Sequence, residues 1–375
     1  LVAPRHRLSR AVAFFQKTAA RGAATGRLHS SSSSSSVGRR TSMASACDEV
    51  RRTCGEVTRA CAARVRVSER AVDAFVDALR EADVHRLRAG CGAFDADGWH
   101  GDGERNESTR DDGTLAMFTM CVDAINFCFW PDHDVEGDGK LEYEHLTSGL
   151  RAAGERDPGV FTTARLRNLT GEELRAMISW PRPLPGEDER ARLLREIGEG
   201  LETHFHGSVV ELIRAAEGSA AKLVDLVVRY FPGFRDTSVY RGRQVFFYKR
   251  AQIFVGDLWG TFRGVGLGEF SDIAKLTMFA DYRVPVTLRE FGMLEYADEV
   301  RNAIVSKQEI PSNSEVEIEI RAATVVAVEA IRRRFEERHS TPVSSVVIDW
   351  LLWEMGEAKR ENSHEPHHRT RTIFY

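Results

Sequence analysis

Three aspartates stand alone inside apolar, aromatic-rich segments of the sequence. Asp349 lies within the run VVIDWLLWEM, Asp257 within IFVGDLW and Asp281 within LTMFADY. An ionised carboxylate in such surroundings is costly unless a cation or hydrogen bonds compensate its charge. We therefore expect the three acids to share a partly dry pocket, in which a carboxylate can bind or stabilise positive charge on a ligand.

A structural role is the alternative for each of these acids. Any one of them could instead form a buried salt bridge with a basic side chain, the candidates being Lys249, Arg250, Arg283 and Arg321. Three isolated acids in three similar segments favour one pocket over three separate ion pairs.

Other motifs that could carry chemistry are weaker. Residues 134–145 resemble a calcium-binding loop, but the twelfth position must supply a bidentate carboxylate and is occupied by His145, so an acidic turn is favoured. Two histidine pairs lack a matching set of metal ligands, and we interpret them as surface residues: His204 with His206, and His367 with His368. The sequence contains no Walker loop, no GxGxxG fingerprint and no GxSxG elbow.

The composition indicates a globular protein with an acidic body. Of the 375 residues 42% are hydrophobic, which is enough for a sizeable core. The net charge is -4, but residues 1–47 contain eight Lys or Arg and no acid, so the other 328 residues carry -12. Nucleic-acid binders normally have a basic body, so no stable nucleic-acid complex is expected. No apolar stretch approaches the roughly 20 residues that span a bilayer, so no membrane role is expected either.

The first 43 residues are rich in Arg, Ala and Ser and contain no acid. This composition is typical of an organellar transit peptide, but Met43 opens the run MASA, so the segment could equally be an untranslated leader. Residues 44–375 are predicted to form a single domain. The six cysteines lie in the first third without CxxC spacing, which indicates reduced thiols in a cytoplasmic protein, or in a mitochondrial or plastid one if the leader is real.

Hydrophobic periodicity predicts a mainly α-helical fold with a few short strands. Apolar residues at helical spacing, Val65 among them, predict amphipathic helices between residues 48 and 88, and a buried helix over 115–130. Thr170 with Glu173 three positions later predicts a capped helix start. The remaining predictions are helices over 170–179, 187–205, 208–231 (two), 249–259, 272–279, 285–294, 315–339 and 344–361, and strands over 140–145 and 244–248.

Seven separated blocks carry a resemblance to a known family. In chain order they are DAINFCFW (123–130), YFPGFRD (230–236), YKRAQ with VGDLW (248–259), TMFADYRVP (277–285), EIR (319–321), DWLLWE (349–354) and HRTRTIFY (368–375). In this order they resemble the queuosine salvage protein family, the queuosine-5'-phosphate N-glycosylase/hydrolases. The resemblance covers roughly residues 48–375 and is far more specific than any single motif.

The resemblance implies a helical fold similar to that of DNA glycosylases. It also implies hydrolysis of the N-glycosidic bond of queuosine 5'-monophosphate, which releases queuine for salvage into tRNA modification. Cleavage builds positive charge on the ribose, and a carboxylate can stabilise that cation, attack it or activate water; the resemblance assigns this role to Asp349. Lys249 is implied as a second catalytic group that binds phosphate, lowers a carboxylate pKa or, less favoured, forms a Schiff base.

Contacts to the substrate follow from the same resemblance. Queuine has a guanine-like edge with two donors and a protonated secondary amine, so its pocket should offer carboxylates and aromatic faces. Phe279 and Asp281 are assigned to the base edge, and Glu354, five positions beyond Asp349, to another part of the ligand. The other candidates for substrate contacts are Phe129, Trp130, Trp350, Asp257 and His100, with Arg283, Arg321, Arg369 and Arg371 as candidates for the phosphate.

The sequence departs from the family pattern at two positions. Glu354 stands where the family has Asp, and His100 is the nearest imidazole to a position near Gly103 where the family has His. We expect a small-molecule nucleotide as the partner, with no metal or organic cofactor. Two alternatives stay open: a protein that binds modified bases without turnover, and a glycosylase that acts on polymeric nucleic acid.

Overall fold

The computed structural model describes residues 44–94, 111–136, 139–359 and 365–375, and the structural statements below concern these residues. Their α-helices, in chain order, are α1 Ala46–Ala60, α2 Glu69–Asp77, α3 Glu81–Arg88, α4 Asp112–Ala124, α5 Tyr143–Arg156, α6 Thr163–Leu166, α7 Gly171–Met177, α8 Glu187–Phe205, α9 Val209–Ala215, α10 Ala220–Tyr230, α11 Lys249–Thr261, α12 Val284–Glu290, α13 Asp298–Val305, α14 Glu315–His339 and α15 Ser345–Lys359. The strands form two antiparallel pairs: β1 Val65–Val67 with β4 Leu294–Tyr296, and β2 Thr237–Tyr240 with β3 Arg243–Phe246.

The prediction of a mainly α-helical fold is therefore confirmed. The predicted helices over 187–205 and 315–339 match α8 and α14 residue for residue. The capping box is also confirmed: the Thr170 side chain accepts from the Glu173 backbone, and the Glu173 carboxylate accepts from the Thr170 backbone. The likeness to DNA glycosylases and the single-domain organisation stay predictions.

Four local predictions are wrong. The buried helix predicted over 115–130 ends at Ala124, and residues 126–129 have no regular secondary structure. Val65 does not belong to an amphipathic helix, as its spacing predicts, but lies in β1 and pairs with Tyr296. The predicted strand over 140–145 runs instead into α5, because its N–H groups are taken by side chains: that of Leu141 by the Asp132 carboxylate at 2.7 Å, and that of Glu142 by His145 at 3.1 Å. The predicted helix over 272–279 is a single 3-10 turn followed by extended backbone.

The extended backbone after that turn is held by side chains from two helices. The Gln252 amide oxygen accepts the N–H of Thr277 at 2.8 Å, and the Asp349 carboxylate accepts the N–H of Phe279 at 3.0 Å. These bonds replace the main-chain partners that a helix would supply. The segment thus stays extended between α11 and α15.

The long helix α14 runs through the core. Most of its side chains are buried, and it packs against α1, α2, α12 and α15. α11 packs against α4 and α10. The two apolar helices that carry isolated acids, α11 and α15, are thereby fixed on either side of the extended segment. None of the helices described above is long and apolar enough to cross a membrane.

Candidate active site

One cavity brings the three isolated aspartates together. α11 contributes Lys249 and Asp257 to its wall, the extended segment contributes Phe279 and Asp281, and α15 contributes Asp349. The aspartates therefore share a pocket, as their apolar surroundings in the sequence suggested.

The cavity wall is strongly acidic. Its described acids are Glu142, Glu144, Asp257, Asp281, Asp349, Glu354 and Glu357, whereas its described cations are Lys249 and Arg283. Such an excess of carboxylates in a partly closed space favours a cationic ligand or a transition state that develops positive charge.

Asp349 is buried and only half satisfied by the protein. Its Oδ1 accepts the N–H of Phe279 at 3.0 Å, while no described residue bonds to Oδ2. Burial raises the pKa of Asp349 well above its usual range, and the nearby charge of Asp281 raises it further. A bound cation would favour the ionised form, so the charge of this carboxylate is coupled to the ligand.

Asp281 has a similar arrangement at the start of α12. Its Oδ1 accepts the backbone N–H groups of Arg283 at 2.9 Å and Val284 at 3.0 Å, which fixes the carboxylate at the helix N-terminus. Burial raises the pKa of Asp281, and the charge of Lys249 opposes that rise. The neighbouring Phe279 ring is 2% exposed and lines the same cavity, so an apolar face and a carboxylate lie side by side.

Lys249 is the buried cation of the cavity wall. Its Nζ donates to the Asn126 carbonyl at 3.0 Å, and it forms no ion pair within 4 Å with a carboxylate of the described chain. Burial lowers the pKa of the Lys249 ammonium, while Asp281 and Asp123 oppose that shift. A buried amine held by a neutral carbonyl keeps donors available for a ligand.

A second pair of acids lies beside Lys249. Asp123 on α4 is completely buried, and its carboxyl group forms a side-chain hydrogen bond with that of Asp257, which requires one of the two acids to carry a proton. Burial raises the pKa of Asp123 well above its usual range, and the charge of Asp257 adds to the effect. Burial also raises the pKa of Asp257 to about 8, against the charge of Lys249. The pair therefore retains at least one proton at neutral pH.

Two further acids of the wall are paired with arginines. Glu354 on α15 forms a two-point contact with Arg86 on α3, and Glu357 accepts from the Arg283 Nε at 2.8 Å. Side-chain exposures of 37% for Glu354 and 23% for Glu357 place both pairs towards the solvent side of the cavity. Arg283 also lines a second, adjoining cavity together with Lys307 and others.

Most of the substrate contacts expected from the sequence line this cavity. Phe129, Trp350, Asp257, Glu354 and Arg283 do so together with the groups described above. His100 lies outside the described residues.

Four other candidates are placed elsewhere. Arg321 is 1% exposed and forms a buried salt bridge with Asp236, at 2.6 Å and 2.9 Å, so that its charge is already neutralised. The Trp130 ring lies between Arg369 and Arg371, whose guanidinium centres are each 5.1 Å from it. These two arginines pair with surface acids instead of lining the cavity: Arg369 with Asp134, and Arg371 with Glu309.

The histidine and calcium-loop interpretations have mixed outcomes. His204 and His206 are exposed, as expected. The prediction that His367 and His368 lie on the surface is wrong, because His368 is 2% exposed and burial lowers the pKa of His367 to about 4. In the calcium-like region Asp134 is engaged by an arginine, and the part of the chain that the structure describes holds no group of three or more metal-binding side chains.

Sequence reasoning missed several groups of the cavity. Glu142, Tyr143 and Glu144 enter it from the start of α5, and Tyr375 closes another side. The acids looked like part of a solvated turn, because only tertiary packing brings α5 over the cavity. Asp123 carries a signal in the sequence, since it lies in the apolar run of α4 as Asp257 does in α11.

Comparison with known proteins gives a consistent result. The family model described as "Queuosine salvage protein" matches residues 106–375. Three relatives share the name queuosine 5'-phosphate N-glycosylase/hydrolase. The one from Dictyostelium discoideum is 48% identical over 72% of this chain and 81% of its own. The one from Sphaerobacter thermophilus is 42% identical over 70% and 81%, and the one from Mus musculus is 32% identical over 82% and 96%.

Proposed function

The chain belongs to the queuosine salvage protein family, and from that premise we propose that it hydrolyses queuosine 5'-phosphate to queuine and ribose 5-phosphate. The observation that carries the proposal is the half-satisfied carboxylate of Asp349 in a cavity with seven described acids and two described cations. This wall suits a base with a protonated amine and a ribose that becomes cationic during cleavage.

The reaction breaks the bond between ribose C1' and the base nitrogen, and the electron pair leaves with the base. Positive charge then develops on the ribose, where the free Oδ2 of Asp349 can stabilise it, attack it or accept a proton from water. Water supplies the hydroxyl group that C1' gains, and the proton that water releases replaces the one that an acid of the site gives to the departing base. Lys249 lines the same cavity, donates to the Asn126 carbonyl at 3.0 Å and keeps donors available for the substrate.

The base is assigned to Phe279 and Asp281. The Phe279 ring offers a stacking face, and the second oxygen of Asp281 offers an acceptor for the donors of the guanine-like edge. Asp281 is held by two backbone N–H groups, so its carboxylate is fixed before the ligand arrives. Arg283 is assigned to the phosphate because it is the cation at the open side of the cavity; its bond to Glu357 would then be exchanged for the ligand.

Proton supply is assigned to the acid pair beside Lys249. Asp257 lines the cavity and retains its proton near neutral pH, because burial raises its pKa to about 8. Asp123, which is completely buried, forms a side-chain hydrogen bond with it. Asp257 is therefore the acid best placed to protonate the departing base.

The compartment is assigned from the cysteines. All six are free, and five of them are buried thiols, which supports the reducing cytoplasm, or the interior of a mitochondrion or plastid if the basic leader is a transit peptide. We infer no nucleic-acid complex, because the body of the chain is acidic.

The test is incubation of the purified chain with queuosine 5'-phosphate and, separately, with guanosine 5'-monophosphate, followed by chromatography of the released base. Release of queuine, with no release of guanine, is the expected result. Tight binding of queuine by a folded protein that releases no base would instead favour a binding protein. Base release from tRNA or DNA rather than from the mononucleotide would favour a polymer-directed glycosylase.

A further inference from the structure

The backbone that leaves α4 presents five consecutive carbonyl groups, those of residues 124–128, to buried cationic side chains. Arg190 on α8 donates to three of them, at residues 125, 127 and 128. Its Nε donates to the Pro185 carbonyl at 2.8 Å. The side chain is 1% exposed, and it forms no ion pair with a carboxylate of the described residues.

Two neighbouring cations take the other two carbonyls. Arg250, which is also 1% exposed, donates to the carbonyls of Ala124 and Gly233. Lys249 donates to the carbonyl of Asn126, as described above. Each carbonyl of residues 124–128 therefore has a cationic donor, in addition to two main-chain bonds of the segment, from the Phe127 N–H to the Ile125 carbonyl and from the Cys128 N–H to the Tyr375 carbonyl, both at 3.0 Å.

The same guanidinium groups pack on the rings of the segment. The guanidinium centre of Arg190 is 4.3 Å from the centre of the Phe127 ring and 5.0 Å from that of Phe129, and that of Arg250 is 5.5 Å from Phe127. Both rings line the cavity. Burying two guanidinium groups without carboxylate partners costs free energy that apolar side chains would avoid, so their presence indicates a geometric task.

We propose that Arg190 and Arg250 are positioning residues of the active site, which hold residues 124–129 so that Phe127, Phe129 and the Lys249 ammonium keep their places in the cavity. Only arginine suits this task, because its planar fork directs several donors at fixed angles, whereas lysine offers a single point of attachment. The expected effect on catalysis rests on the proposed function, whereas the expected effect on the backbone of residues 124–129 does not.

The structural consequence is tested without any ligand, by hydrogen–deuterium exchange of the peptide that covers residues 124–129. The variants are Arg190→Met and Arg190→Lys. The matched control is Arg195→Met, which removes a guanidinium of the same helix that donates to the Leu169 carbonyl at 2.6 Å. Faster exchange of the peptide in Arg190→Met, an intermediate rate in Arg190→Lys and the wild-type rate in the control are expected. Wild-type exchange in both Arg190 variants would overturn the proposal.

The catalytic consequence is tested by the kcat and KM of queuosine 5'-phosphate hydrolysis and the Kd of queuine, at a temperature where circular dichroism shows each variant folded. A misplaced wall should lower kcat/KM at least roughly ten-fold in Arg190→Met and weaken queuine binding, with partial recovery in Arg190→Lys. Equal losses in Arg195→Met would reduce Arg190 to a general stabiliser and overturn the proposal. If Arg190→Met does not fold, Arg190→Lys is compared with Arg195→Lys instead. A loss of kcat/KM in Arg190→Lys alone supports the proposal, and equal losses in the two variants overturn it.

The two proposals fail in different ways. If wild type releases no queuine, the proposed function fails while the exchange experiment still tests the clamp on residues 124–129. If wild type is active and the peptide exchanges at the same rate in all variants, the positioning role fails alone.

Discussion

Replacing Gly256 with alanine should displace the Phe279 ring without altering any polar group of the cavity. Gly256 lies in α11 next to Asp257, and a Cβ atom built on it would meet Cζ of Phe279 at 2.7 Å and Cγ1 of Val346 at 3.3 Å. Carbon atoms pack best at about 3.5–4.0 Å, so the ring must retreat by roughly 1 Å. Phe279 is otherwise enclosed, so the open direction is into the cavity.

The substitution should lower both the free energy of unfolding and kcat/KM. Overpacking costs about 1–3 kcal/mol, and the better helix propensity of alanine returns about 1 kcal/mol, so the free energy of unfolding should fall by roughly 0–2 kcal/mol. A displacement of about 1 Å next to a reacting group can cost up to about a hundred-fold in rate. We therefore expect kcat/KM for queuosine 5'-phosphate to fall at least ~ten-fold, mainly through KM if Phe279 stacks on the base.

The matched control is Gly200→Ala in α8. Its Cβ would meet the Phe231 ring at 2.6 Å and 2.8 Å, a comparable overlap with a buried aromatic side chain that is not part of the cavity wall. Urea unfolding and steady-state kinetics of both variants should show similar losses of stability, with a loss of kcat/KM only in Gly256→Ala. Equal kcat/KM in the two folded variants would refute the assignment of Phe279 to the base.

Three further outcomes are expected. Burial raises the folded-state pKa of Asp257 to about 8, so the folded protein binds this proton more tightly than the unfolded chain does. The free energy of unfolding should therefore fall as the pH rises from about 4 to 8, by up to about 1.4 kcal/mol per pH unit. Urea unfolding of Asp257→Asn over the same pH range should show a shallower fall. Asp236→Asn removes the closer of two buried carboxylates that neutralise Arg321, the other being Glu317 at 3.5 Å, and should cost about 3 kcal/mol in urea unfolding. Glu49→Gln, at the exposed pair with Arg52, should cost less than about 1 kcal/mol, and similar costs would contradict the burial argument. A chelator should leave the rate of queuine release unchanged, and calcium should leave the temperature of thermal unfolding unchanged. A lower rate with the chelator, or a shifted unfolding temperature with calcium, would reveal a metal site not foreseen in the described chain.

Sequence patterns predicted the parts of the fold whose signals are local. The apolar spacing of α8 and α14 acts within a few residues, so the extent of both helices could be predicted directly. The segment 272–279 failed for the opposite reason: its backbone partners, Gln252 and Asp349, lie 25 and 70 residues away in the chain. Tertiary bonds of that kind leave no periodic trace in the sequence.

For the candidate site, too, the sequence predicted the features that are visible locally and not those that depend on tertiary contacts. Isolated acids in apolar runs could be recognised, since an uncompensated charge is conspicuous in any local window. The sequence could not distinguish Asp349, which keeps a free oxygen in the cavity, from Arg321, whose charge Asp236 already neutralises. That distinction depends on which partner the fold brings within hydrogen-bond distance.

The most direct test of the central claim compares wild type with Asp349→Asn, which keeps the shape of the side chain and removes its charge. Queuine release from queuosine 5'-phosphate and the Kd of queuine would be measured on the same preparations. We expect the variant to bind queuine and to lose at least roughly a thousand-fold in rate, in keeping with the loss of a group that stabilises transition-state charge. Hydrolysis within about ten-fold of wild type would contradict the assignment of Asp349 and the chemistry built on it.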